Sequence, residues 1–110
     1  MSHNEIIYSE QEEKEIEDFF VNVETAKNKI LNDVVNSYKT NEMTLENILE
    51  VFHKNVSIFN VISDSTIRIY IESIFNKVEN SNTNNSEVKY YVTDKALEDF
   101  LTSIYIFSEN

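Results

Sequence analysis

The chain has no glycine, no proline and no cysteine among its 110 residues. Each absence removes a class of chemistry. Phosphate-cradling loops and dinucleotide fingerprints need glycine, because only a residue without Cβ lets the backbone approach the ligand with positive φ. Thiolate nucleophiles, disulfides and cysteine metal sites need cysteine. Positive charge is also scarce: nine Lys and Arg stand against twenty Asp and Glu, for a net charge of -11, and Arg68 is the single arginine. No apolar run reaches the roughly 18 residues of a membrane-spanning helix. The opening MSHNEIIYSEQEEKE lacks a basic stretch followed by an apolar one, so no secretion signal is read and a cytoplasmic location is expected.

Enough apolar material remains for one core. Hydrophobic residues make up 41% of the chain and include seven Phe and six Tyr. That share is too high for a disordered chain despite its charge. The length fits a single domain over residues 1–110.

Without proline or glycine, the stops and starts fall to Ser, Thr, Asp and Asn. Ser9 with Glu12 three residues later makes a capping box. Apolar residues then recur at Ile16, Phe19, Phe20, Val23, Ala26, Ile30, Leu31, Val34, Val35 and Tyr38 with helical period. One long helix over about residues 10–39 is predicted, with a break near residues 21–25 as the alternative, and residues 1–8 are expected to be flexible. Four further starts place a Ser or Thr cap after an apolar residue able to staple onto the first turn: Thr44, Ser57, Ser63 and Thr93. They predict helices over about 44–55, 64–79 and 94–107, and leave residues 57–62 as a short helix or a continuation. The polar stretch 80–87, NSNTNNSE, reads as a turn or loop. The VKYYV run at 88–92 has strand propensity, and a short hairpin near 78–92 is compatible with it. The fold class is therefore mainly α: a long N-terminal helix packed on three or four shorter ones, residues 44–110 forming the compact part.

No catalytic or metal set emerges. His3 and His53 are the only histidines. His53 falls near a helix end, where a cation suits the dipole. Helical di-metal carboxylate sites want Glu-x-x-His on the inward faces of two helices, and no such inward pair is read; the single Glu-x-x-His spacing, Glu50 to His53, has no counterpart on a second helix. Neither a cofactor nor a metal nor an enzymatic activity is expected. Tyr90 and Tyr91 read as packing residues rather than a base-stacking platform, since only Lys89 and Lys95 are near.

Residues 10–18 carry the densest charge. Glu10, Glu12, Glu13, Glu15, Glu17 and Asp18 against Lys14 leave -5 in nine residues. Carboxylates at that density on a rigid helix imitate a phosphate backbone. The functional expectation is a non-enzymatic acidic protein that binds and inhibits or modulates a basic, nucleic-acid-handling protein such as a nuclease. Small phage-encoded inhibitors, anti-CRISPR proteins and immunity proteins act in this manner. The six carboxylates are the expected contact residues. Direct binding to nucleic acid or to an anionic membrane is not expected, because the net charge repels both. The first helix is longer than a globule of this size needs, so part of its apolar stripe is expected to be covered in a homodimer.

A second reading rests on a resemblance. From Thr44 onward the order is helix, short helix, ISDSTIRIYIESIF, polar loop, KYYV and TDKALEDFL. This resembles the helix-turn-helix and wing of bacterial winged-helix regulators. Ser63, Ser65, Thr66, Ile67 and Ile71 match the start of the recognition helix, and Tyr90, Tyr91, Thr93, Asp94 and Lys95 match the exit from the wing. The resemblance implies a DNA-binding regulator or plasmid-maintenance protein, with Ser65, Thr66, Arg68 and Lys89 at the DNA and the long first helix as a dimerisation arm. Ala96 stands where that family commonly has glycine. Charged residues of the would-be recognition helix, Asp64, Arg68, Glu72, Lys77 and Glu79, sum to -1.

Overall fold

The computed structural model describes residues 9–79 and 88–108. It is mainly helical, with a long N-terminal helix packed on shorter ones and a small antiparallel sheet. The order is α1 (Glu10–Asp33), a wide π-helical turn (Val34–Tyr38), β1 (Glu42–Thr44), α2 (Leu45–Asn55), a 3-10 turn (Ser57–Asn60), α3 (Asp64–Ile74), β2 (Lys89–Tyr91) and α4 (Asp94–Ser108). No described helix is long and apolar enough to cross a membrane.

The capping residues set most boundaries. At the start of α1 the Ser9 hydroxyl accepts from the Glu12 N–H at 3.1 Å, and the Glu12 carboxylate accepts from the Ser9 N–H at 2.9 Å. Both bonds satisfy donors that the first turn otherwise leaves open. They also hold the Glu12 carboxyl below its ordinary range. Thr44 accepts from Asn47 N–H, Ser63 from Thr66 N–H and Thr93 from Ala96 N–H. Ser57 does not cap. Its segment is a four-residue 3-10 turn entered from Val56, with no side-chain cap bond.

α1 runs unbroken through residues 21–25, so the β-branched residues there do not interrupt it. Its far end widens into the π-helical turn, closed by the Lys39 N–H bonding Val34 O at 3.1 Å. Lys39 then takes the left-handed conformation, φ 59°, a position that helices ending this way usually give to glycine. Since Cβ is penalised there by about 1–2 kcal/mol, Lys39→Gly is expected to stabilise the fold by about 0.5–1 kcal/mol after the entropy of the unfolded glycine is offset. Urea denaturation at neutral pH measures this; a destabilised variant would show that the Lys39 side chain holds the turn.

The sheet corrects two expectations. α3 ends at Ile74 rather than near 79, because Phe75 turns extended, φ -85° and ψ 139°. Residues 76–78 instead pair with β2. The Tyr91 N–H reaches Asn76 O at 2.8 Å, the Val78 N–H reaches Lys89 O at 2.9 Å, and Lys77 faces Tyr90. These are the two arms of the hairpin read near 78–92; the loop at 80–87 and the terminus at 1–8, including His3, lie outside the described residues. The second correction is β1, which no sequence signal marked. It pairs antiparallel with β2, Met43 opposite Tyr90. Thus β2 lies between β1 and residues 76–78.

One core joins these parts. Phe52, Phe59 and Phe100 stack nearly parallel with centroids 4.7–5.8 Å apart, and Phe75 meets Phe100 edge-on at 5.5 Å. Ile30 of α1, Ile67 and Ile71 of α3, and Leu97, Leu101 and Ile104 of α4 surround them, all buried. Tyr90 is buried too, so it packs, and burial raises its phenol pKa.

A polar cluster fixes the far end of α1. Asp33 accepts from Ser37 Oγ at 2.7 Å and from Asn55 Nδ2 at 2.7 Å, with Lys54 at 3.7 Å. The Ser37 and Asn55 hydrogen bonds, with the nearby ammonium, hold the Asp33 carboxyl below its ordinary range. A depressed carboxylate stabilises the fold above its unfolded pKa of about 3.9 and loses that contribution as pH falls through the folded value. Asp33→Asn is therefore expected to lower the thermal midpoint at pH 7, with the gap from wild type closing as pH falls below about 4. A gap independent of pH would mean that the bonds act without the charge.

Candidate functional site

α1 and α4 run antiparallel. Near the start of α4, Lys27 of α1 sits among three carboxylates. Its Nζ is 3.0 Å from Asp94, 3.1 Å from Glu24 and 3.5 Å from Glu98. The Lys27 side chain is only 6% exposed, and the hydrogen bond to Asp94 leads the causes that raise its pKa well above the ordinary lysine range. Nearer the end of α4, Phe19 meets Tyr105 edge-on at 6.2 Å. From Val23 onward α1 turns buried residues toward the body: Val23, Ala26, Lys27 and Ile30.

Ahead of Val23 no residue of α1 is buried. The two helices are in step, Lys27 by Asp94 and Phe19 by Tyr105, so α4 as described reaches its end at Ser108 while α1 continues past it for about two turns. The apolar stripe continues as well. Ile16 is 40% exposed and Phe20 60%, while Ile106 and Phe107 at the end of α4 are 52% and 44% exposed. Ile16, Phe19, Phe20, Tyr105 and Ile106 line an open groove of about 800 Å³ whose remaining lining is Glu12, Glu15, Asp18 and Asn22.

The six carboxylates singled out in the sequence are all exposed, Glu10, Glu12, Glu13 and Glu15 on the projecting turns and Glu17 and Asp18 just ahead of Phe19. They do not share one face. At about 100° per residue they encircle the helix. Glu12, Glu15 and Asp18 line the groove, and Glu10, Glu13 and Glu17 lie outside it. Their charge spacing, six over about 12 Å of helix at 1.5 Å per residue, is near one per 2 Å, close to the roughly 1.7 Å of duplex DNA.

The alternative set divides differently. Ser65 and Arg68 are exposed on α3, and Lys89 is exposed on β2. Thr66 is half-buried, its hydroxyl 3.0 Å from the Ser63 cap. Around Arg68 on the solvent side stand Asp64, Ile69 and Glu72, all exposed, with Ile69 a large apolar residue. Among the described residues Arg68 makes no ion pair. His53 is structural: its ring bridges Asn60 at 3.2 Å and Asp64 at 2.9 Å, tying α2 to the start of α3.

Sequence reasoning missed two contributors. Tyr105 and Ile106 read as ordinary positions of a terminal helix, and only their place beside Phe19 gives them a role. Comparison with protein families, with curated proteins and with solved structures finds no match to this chain.

Proposed function

We propose that the protein is a non-enzymatic binding protein that blocks or modulates a basic, nucleic-acid-handling protein through the projecting turns of α1. One observation carries this reading: the most acidic stretch of the chain is also the stretch of α1 that contributes nothing to the core. Residues 10–18 of α1 bury no side chain in the core, and they are anchored at one end by the capping box and at the other by Phe19, which packs on the core and on Tyr105. A rigid rod with phosphate-like charge spacing fits a groove built for nucleic acid. Complementary charge of this kind speeds encounter and excludes acidic partners.

Photo-crosslinking in the cells that make the protein tests this. A photoreactive residue at Glu17 is expected to capture a basic protein, and one at Glu46 on α2 is not. Duplex nucleic acid added to the extract before irradiation is expected to compete the adduct away. Equal yields from both positions would overturn the reading.

A second reading has its own observation. The α2–turn–α3 pair followed by the antiparallel pairing of residues 76–78 with β2 agrees with the helix, turn, helix and wing order of the resemblance to winged-helix regulators. Under it, Ser65, Thr66, Arg68 and Lys89 contact DNA. The carboxylates beside Arg68 oppose that role, since a DNA reader must neutralise phosphates. Labelled duplex DNA titrated at low salt, followed by anisotropy, is expected to show no binding. Binding that steepens as salt falls and is lost in Arg68→Ala would put this reading first.

A further inference from the structure

The groove between α1 and α4 has a shape as well as a charge. Residues 16, 19, 23, 26 and 30 of α1 follow the alternating three- and four-residue spacing of a helix-packing seam. α4 meets α1 along that seam at Lys27 and at Phe19, and Val23, Ala26 and Ile30 are buried. Beside the last described turn of α4 the seam runs on through Ile16, with Phe20 next to it and Phe19 forming its floor edge-on to Phe20 at 5.6 Å. Among the described residues only the last turn of α4 borders this stretch, which leaves a helix-shaped seam open on α1. On the groove's margin stand Glu12, Glu15 and Asp18, and among the described residues that line it there is no cation.

We infer that this groove docks an amphipathic basic helix of a partner protein, its apolar residues seated on Ile16, Phe19 and Phe20 and its Lys or Arg residues paired with Glu12, Glu15 and Asp18. This rests on the proposed function and names the partner element that reading requires. A second copy of the chain is the competing occupant. It brings the same three carboxylates and the same net charge of -11 onto an acidic rim. Like charges placed face to face oppose association. A basic helix removes that repulsion and fills the same apolar seam, the helix-in-groove mode with anchors at i, i+3 and i+4.

The test uses the full chain and two labelled 18-residue peptides of identical Leu and Lys composition. One has its leucines at helical spacing and the other has them permuted off any face. At 150 mM salt the amphipathic peptide is expected to bind at least tenfold tighter than its isomer. Phe20→Ser and Ile16→Ser are each expected to weaken it at least tenfold while the thermal midpoint stays within a few degrees of wild type. Glu15→Lys with Asp18→Lys is expected to weaken it and flatten its salt dependence. Equal binding of the two peptides overturns the inference, because attraction is then charge alone, and the broader proposal of a basic partner survives. Sedimentation as a dimer that Phe20→Ser converts to monomer also overturns it, and assigns the groove to a second copy. An absence of arm-specific crosslinks in cells counts against the function itself, whichever peptide binds.

Discussion

Phe100→Ala is expected to cost about 4 kcal/mol, the usual range for deleting a buried aromatic ring being about 3–5 kcal/mol. Phe100 is fully buried and touches three other rings, stacked on Phe52 at 4.9 Å and on Phe59 at 5.8 Å and edge-on to Phe75 at 5.5 Å. Those rings come from α2, the 3-10 turn and the start of the sheet, so Phe100 is where α4 joins the rest of the fold. Removing it leaves a cavity walled by stiff side chains that cannot collapse into it. In a domain of this size, total stability is about 5–15 kcal/mol. A loss of 4 kcal/mol then lowers the thermal midpoint by about 15–30 °C, at roughly 4–8 °C per kcal/mol. Phe100→Leu keeps most of the volume and forfeits the ring contacts, each worth about 0.5–1.5 kcal/mol beyond burial, so its cost should fall well below that of alanine. Urea titrations of both variants decide the matter. A cost under 1 kcal/mol for Phe100→Ala would mean that the four rings do not form the centre of the fold.

Much of this core was legible in the sequence because it depends on local signals. Phe52, Ile67, Ile71, Leu97, Phe100, Leu101 and Ile104 fall at helical spacing within the three shorter predicted helices and are all buried, while Phe107, at the same spacing, is 44% exposed. Thr44, Ser63 and Thr93 marked helix starts because a cap needs only its own first turn. Ser57 misled for a related reason: the residue type was right, but the segment closes after four residues and never offers α-helical donors. The helical period continues through Phe75 and Val78, so the spacing alone predicts a helix to about residue 79 where the structure ends α3 at Ile74. What stops the helix is the demand of β2 for the backbone groups of Asn76 and Val78, made from more than ten residues away. β1 was invisible on the same grounds, since Met43 meets Tyr90 only in three dimensions.

The candidate groove was half legible. The carboxylates of residues 10–18 stand out by density alone. Ile16 and Phe20, however, repeat the pattern of Val23 and Ile30, and no periodicity separates a seam residue that is covered from one that is not. The distinction lies in the relative reach of α1 and α4. That reach follows from which residues of the two helices are in step, and the Lys27 cluster sets it.

Lys27→Ala is accordingly expected to do more damage than the surface position of its partners suggests. The Lys27 side chain is 6% exposed, whereas Asp94, Glu24 and Glu98 are 53–66% exposed. The carboxylates keep much of their water, so each ion pair adds little, and the three together contribute about 1 kcal/mol. The buried stem contributes more. Truncation to alanine removes three methylenes at about 0.8 kcal/mol each, which brings the total to about 3 kcal/mol. Lys27→Met retains an apolar stem of similar length and should cost about 1 kcal/mol, the share of the charges alone. The pH dependence separates the two contributions. A lysine whose pKa is raised in the folded state contributes fully below its unfolded value of about 10.4 and loses that contribution as pH rises through the folded value. The cost of Lys27→Met should therefore be constant from pH 7 to 9 and shrink above it, while that of Lys27→Ala should fall only to the stem's share. Tyr38, pushed up to about 12 by the hydrogen bond it donates to Glu50, also loses a proton in that alkaline range. It does so in wild type and variants alike, and cancels from the difference. If the two substitutions cost the same at pH 8, the cluster holds α1 to α4 by charge and not by packing. In that case raising the pH alone should loosen the projecting turns from Tyr105, and with them the groove.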